Sequence, residues 1–90
     1  MKKYIEIEGD YNDGDYTKQT TLVSDEEIET LKPIIRKIKA HHGKVKFYVK
    51  AIDDEKLAII QPYLPRFEGG DIHTIESIKI ITVTNEEVLL

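Results

Sequence analysis

Three groups of residues in this chain have the types and spacing that chemistry needs. His41, His42 and His73 carry imidazoles of the kind zinc or nickel selects. Adjacent residues on a helix point about 100° apart, so His41 and His42 read as the basic end of a helix and not as two ligands of one ion. Acid–base catalysis by His73 needs a carboxylate or a nucleophile beside it, and Asp71, Thr74 and Glu76 are neighbours along the chain only. The second group, Asp10, Asn12, Asp13 and Asp15, is oxygen-rich, as calcium sites are. With Gly14 taken as the glycine of an EF-hand loop, Gly9 and Tyr11 fall where ligands belong, so the run reads as a solvated hairpin loop. Gly69-Gly70 lacks a Walker lysine and serine and reads as a turn. No catalytic residue, metal ligand or cofactor is assigned, and the expectation is a protein that is not an enzyme.

The third group is defined by charge. Residues 1–31 hold three lysines against nine acids, and residues 51–90 hold three basic residues against eight acids. Between them Lys32, Arg36, Lys37, Lys39, Lys44, Lys46 and Lys50 stand without a single Asp or Glu. Such a block is either an anion-binding surface or one half of an internally neutralised fold. The sequence favours neutralisation, because acidic strands flank it. Tyr4 and Tyr48, with Lys44, Lys46 and Lys50, have the make-up of a protein-binding patch: aromatic anchors in a charged rim. Lys32, Arg36, Lys39, Lys44 and Lys46 are the corresponding candidates for nucleic acid. That alternative is weakened by having one ring, Tyr48, inside the block and by an expected placement of helix and strand lysines on opposite sides of the domain.

Length and composition bound the scaffold that must position these groups. Ninety residues, 40% of them apolar and 33% charged, describe one domain spanning 1–90. The absence of cysteine excludes disulfides, thiolate metal sites and cysteine nucleophiles, and it suits a reducing cytoplasm. No apolar run exceeds four residues, so no membrane-crossing or leader segment is expected.

Along the chain, Tyr4-Ile5-Glu6-Ile7-Glu8 alternates as a half-buried strand does, and a turn-rich segment from Gly9 to Gly14 leads to a second strand over 16–23. That second strand is largely free of charge and could pair with its own copy if it lies at a sheet edge. Ser24 with Glu27 forms a capping-box signature, and Ile28, Leu31, Ile35, Ile38 and His42 give the following helix one apolar stripe. Pro33 predicts a kink or break, and Gly43 a C-terminal cap. Residues 44–50 alternate as a strand with Val45, Phe47 and Val49 on one face. Asp53 or Asp54 caps a short helix that Pro62 and Pro65 shorten. Residues 72–84 read as a long strand that is either bulged or buried on both faces at the sheet centre, the central position being preferred, and Asn85-Glu86-Glu87 as the cap of a last turn.

The predicted fold is therefore α+β, in the order β-β-α-β-α-β, with a mixed or antiparallel sheet and helices on one face. On the open face the sequence suggests Tyr4, Glu6 and Glu8 beside Lys44, Lys46, Tyr48 and Lys50.

The cysteine-free, Lys/Glu/Ile-rich make-up and the run Asp13-Gly14-Asp15-Tyr16, leading through Thr20-Thr21-Leu22-Val23 into the Ser24 helix, resemble the small proteins of phages and prophages. The resemblance covers roughly the first half of the chain and implies a cytoplasmic accessory factor that binds a host or phage macromolecule. It carries over no functional residue. The leading expectation is a protein-interaction or inhibitor module, with a protein partner or a second copy of the chain bound. The alternatives are a nucleic-acid-binding domain using residues 32–50 and a small metal-binding or enzymatic domain.

Overall fold

The structure, a computed structural model, describes residues 1–43, 45–67 and 70–83. Strands β1 (Lys2–Asp10) and β2 (Tyr16–Val23) form an antiparallel hairpin whose register runs without a shift from Lys3 opposite Val23 to Asp10 opposite Tyr16. The turn between them begins only at Tyr11, and Gly14 takes the positive φ of 93° that the connection requires. Gly9 and Asp10, expected in the loop, belong to the strand. The glycine is required there for another reason: a Cβ at Gly9 would stand 1.8 Å from the Thr74 carbonyl oxygen.

Helix α1 (Asp25–His42) starts as its sequence predicts. The Glu27 N–H donates to Ser24 Oγ at 3.1 Å, and the Ser24 N–H donates to Glu27 Oε1 at 2.9 Å. The helix is not broken at Pro33. That ring lies on the solvent side, while buried Leu31, Ile35 and Ile38 to either side of it hold the helix against the core. The chain leaves α1 through Gly43, at φ 71°, whose N–H donates to the Lys39 carbonyl.

The expected seven-residue strand over 44–50 is corrected to a two-residue strand, β3 (Phe47–Tyr48), followed by a single 3₁₀ turn over Val49–Ala51. Val45 is exposed, whereas Val49 is buried. Asp53 caps α2 (Asp54–Ile60) by accepting from the Lys56 N–H, and a 3₁₀ turn containing Pro62 ends it. Two short strands, β4 (Arg66–Phe67) and β5 (Gly70–Asp71), pair antiparallel after it, so Gly70, expected in a turn, belongs to a strand. Gly69, Lys44 and the expected cap at residues 85–87 lie outside the described residues.

Strand β6 (Thr74–Val83) lies between β1 and β3 in an antiparallel sheet of order β2-β1-β6-β3. It is both central and bulged. The pairing with β1 slips between Glu8 and Gly9, where Ser77 is followed by Ile75 and Glu76 is the extra residue. On one sheet face Ile5, Ile7, Ile75 and Ile78 meet Ile28, Leu31, Ile35 and Ile38 of α1, together with Ile60 and Leu64, in one continuous core. The chain is a small α+β domain, as its patterning predicts. The other sheet face carries Tyr4, Glu6, Glu8 and Asp10, with Leu22, Thr20, Lys18 and Tyr16 opposite them on β2.

Candidate functional site

The internal position of β6 changes where the charged candidates stand. β1 has β2 and β6 as neighbours, so the lysines near β3 do not lie beside Glu6 and Glu8 as expected. Glu6 faces Lys79 of β6, at 3.6 Å, and Glu8 accepts from the Tyr16 hydroxyl. That bond holds the Tyr16 phenol up at about 12. Lys46 instead reaches Asp10, with Nζ 2.5 Å from the carboxylate, and this hydrogen bond raises the ammonium above its ordinary range. Lys3 meets Asp25 at 2.9 Å and holds that carboxyl low. The lysines of the sheet layer that have these partners are therefore neutralised, but by residues other than those the sequence suggested.

Tyr4 and Tyr48 do not form a pair. Tyr4 stands opposite Ile81 and Tyr48 opposite Thr74, so β6 separates them by about 20 Å at strand rise. The Tyr48 ring meets His73 edge-on at 5.1 Å between centroids, and Lys50 Nζ lies 5.6 Å from the Tyr48 centroid. The patch of Tyr4, Tyr48, Lys44, Lys46 and Lys50 is thus divided: Lys46 is engaged by Asp10, Tyr4 is remote, and Lys44 is outside the described residues.

The α1 lysines behave differently. Lys32, Arg36, Lys37 and Lys39 are all exposed, and none forms an ion pair among the described residues. Lys32, Arg36 and Lys39 follow one another at four- and three-residue steps, which lines them up along about 10 Å of helix. Lys37 points about 140° round the helix from Lys32 and stands on the other flank of α1, where it lines an open depression of about 600 Å³ with His41, His42, Lys50, Asp53 and Lys56. Helix and β3-side lysines were expected on opposite sides of the domain. The 3₁₀ turn after β3 carries Lys50 to the depression beside Lys37, whose lining does not include the stripe of Lys32, Arg36 and Lys39.

Local structure builds this depression. The His42 ring stacks on Phe47 at 4.1 Å with planes 8° apart, and His41 meets His42 edge-on at 4.6 Å. Burial, helped by the neighbouring His41, pushes the His42 imidazole below its ordinary range, so it packs as a neutral ring. Lys56 Nζ sits 2.5 Å from Asp53, whose carboxyl that bond and the Lys56 N–H hold low. Lys37 and Lys50 therefore supply the uncompensated charge there. The sequence places Lys37 in the basic block and His42 on the packed stripe of α1, but does not show that they and Lys56 line one depression. The His42-Phe47 stack was the one available signal, since two rings five residues apart flank the glycine that turns the chain back.

The acidic loop is organised by itself: the Asp15 N–H donates to Asp13 Oδ1 at 3.0 Å. Among the described residues no three His, Cys, Asp or Glu side chains come together as metal ligands would. No helix among them is long and apolar enough to cross a membrane. No family model, curated protein or solved structure matches this chain.

Proposed function

We propose that this domain is a non-enzymatic recognition module that binds nucleic acid through the cationic face of α1 and the depression beside it. The observation that carries the reading is the contrast between two sets of basic residues. Lys3, Lys46 and Lys79 meet carboxylates, whereas Lys32, Arg36, Lys37 and Lys39 have none among the described residues, and Lys50 joins Lys37 in one depression. Cations on both flanks of the solvent side of α1, with Lys32, Arg36 and Lys39 on one and Lys37 with Lys50 on the other, suit a phosphate backbone that crosses the helix and gives affinity without requiring base contacts. Exposed Tyr48, beside Lys50, offers one ring for stacking. A cytoplasmic accessory factor of the phage type that the first half of the chain resembles would act by such recognition.

The test is titration of fluorescent single- and double-stranded oligonucleotides at low salt, with Lys37→Glu/Lys50→Glu beside the unaltered chain. The reading expects binding that the double reversal removes. Absence of binding to every oligonucleotide, or binding unaffected by the reversal, contradicts it.

A second reading, a module that assembles with protein, draws on a separate observation: β2 forms one edge of the sheet over its whole length.

A further inference from the structure

The two edges of the sheet are unlike each other. At one, β3 is two residues long, which leaves little template for another strand. At the other, β2 runs for eight residues with no proline, no bulge and one charged side chain, Lys18. Its backbone polarity follows from the turn and from β1. The Tyr11 N–H donates to the Asp15 carbonyl, while Asp10 turns its own N–H and C=O toward Thr74 and His73. The alternation of an antiparallel ladder then directs the odd-numbered residues of β2 to β1 and turns the N–H and C=O of Tyr16, Lys18, Thr20 and Leu22 outward. No backbone hydrogen bond to another element takes these groups up among the described residues.

We infer that this edge pairs with the β2 edge of a second copy, antiparallel and about a two-fold axis through Gln19. A two-fold axis perpendicular to the sheet keeps the open faces together, so even-numbered residues must meet even-numbered ones. Of the registers that allow this, one sets Lys18 against the partner's Lys18, which repels. Another sets Thr20 against the partner's Thr20 and carries Tyr16 beyond the end of the partner strand. With Gln19 on the axis, every outward N–H and C=O of Tyr16, Lys18, Thr20 and Leu22 finds a partner. Tyr16 then faces the partner's Leu22, and Lys18 faces the partner's Thr20. Tyr16 and Leu22 are 56% and 57% exposed in the single chain, and this register covers both at once, twice over. Lys18 also approaches the acidic side of the partner, because the Thr20 hydroxyl donates to Glu6.

The strand is self-complementary in shape, backbone and charge, and that commits the occupant to a second copy and not to an unrelated strand. A contact of one strand and two aromatic–aliphatic pairs is small among specific interfaces, so a micromolar dimer is expected. In that dimer the two α1 faces lie on the same side of one continuous sheet.

Sedimentation equilibrium across the micromolar range tests this directly. The unaltered chain is expected to pass from monomer to dimer with concentration. Thr20→Pro, which removes an outward N–H and the exposed hydroxyl bond to Glu6 but no β1–β2 backbone hydrogen bond, is expected to stay monomeric with an unchanged circular dichroism spectrum. Register is read separately by cysteine cross-linking, since the chain has no cysteine of its own. An equimolar mixture of Lys18→Cys and Thr20→Cys is expected to form the mixed disulfide in preference to the Thr20→Cys homodimer. A monomer at every concentration, a dimer unaffected by Thr20→Pro, or preferential Thr20→Cys self-cross-linking overturns the inference. If Thr20→Pro fails to fold, the cross-linking result decides.

Discussion

The Gly9 α-carbon lies against the Thr74 backbone so closely that a methyl group on it would stand 1.8 Å from the Thr74 carbonyl oxygen. The slip in the β1–β6 register between Glu8 and Gly9 creates this approach, and it aims Asp10 at Thr74 and His73. Nothing flexible can yield there, because the obstructing atom belongs to a central strand. Gly9→Ala is expected to cost roughly 3 kcal/mol or more, read as a lowered urea midpoint. An unchanged midpoint would mean that the slip is not where the backbone places it.

Tyr63 joins the second 3₁₀ turn to the start of α1, its hydroxyl donating to Glu27 Oε2 at 2.5 Å. That bond, with the backbone N–H of Ser24, holds the Glu27 carboxyl below its ordinary value of 4.5, and the same contact raises the Tyr63 phenol to about 12. The carboxylate's contribution to stability is complete above 4.5 and is lost as pH falls through the lowered value. The phenol's contribution is complete below 10 and is lost as pH rises through about 12. Tyr63→Phe is expected to move the Glu27 titration back up, observed by carboxyl-carbon NMR.

His42 provides a third pH-dependent element. Its folded value lies below 6.5 because burial disfavours the imidazolium. Its contribution is therefore complete above 6.5 and declines as pH falls through the lowered folded value. His42→Phe keeps a ring over Phe47 and removes the titration, so it is expected to flatten the loss of stability on the acid side in denaturant curves recorded across that range.

How much of this was legible in the sequence depends on distance along the chain. Ser24 with Glu27, Asp53, Gly43 and the stripe from Ile28 to Ile38 are local devices, and the structure uses each as written. Strand partners are not local. Nothing in Lys44 to Lys50 says that β6 separates it from β1, so the neutralising partner was sought at Glu6 and Glu8, whereas Lys46 meets Asp10. The alternation of Val45, Phe47 and Val49 resembles a seven-residue strand, yet among the described residues of that segment only Phe47 and Tyr48 pair with β6, and Val49 is buried from a 3₁₀ turn. That turn carries Lys50 to the depression beside Lys37, which no periodicity reveals. Pro33 does not break α1, because a proline on the solvent side costs one hydrogen bond while the stripe beneath it stays packed.

The division of labour among the lysines predicts opposite behaviour for two charge reversals. Lys46→Glu places a second carboxylate beside Asp10, so it is expected to lower thermal stability and leave oligonucleotide binding within about twofold. Lys37→Glu breaks no ion pair, so it is expected to leave the melting temperature unchanged and to weaken binding several-fold. Parallel melting and anisotropy measurements on the two variants separate these effects.

The most direct measurement is the salt dependence of nucleic-acid affinity. If Lys32, Arg36, Lys37, Lys39 and Lys50 contact about three to five phosphates, the logarithm of the association constant falls against the logarithm of salt concentration with a slope between about −2 and −4.5. Lys37→Glu/Lys50→Glu is expected to make that slope shallower by about 1 to 2. A slope near zero, or one that the double reversal leaves unaltered, would show that the cationic face of α1 is not a phosphate-binding surface.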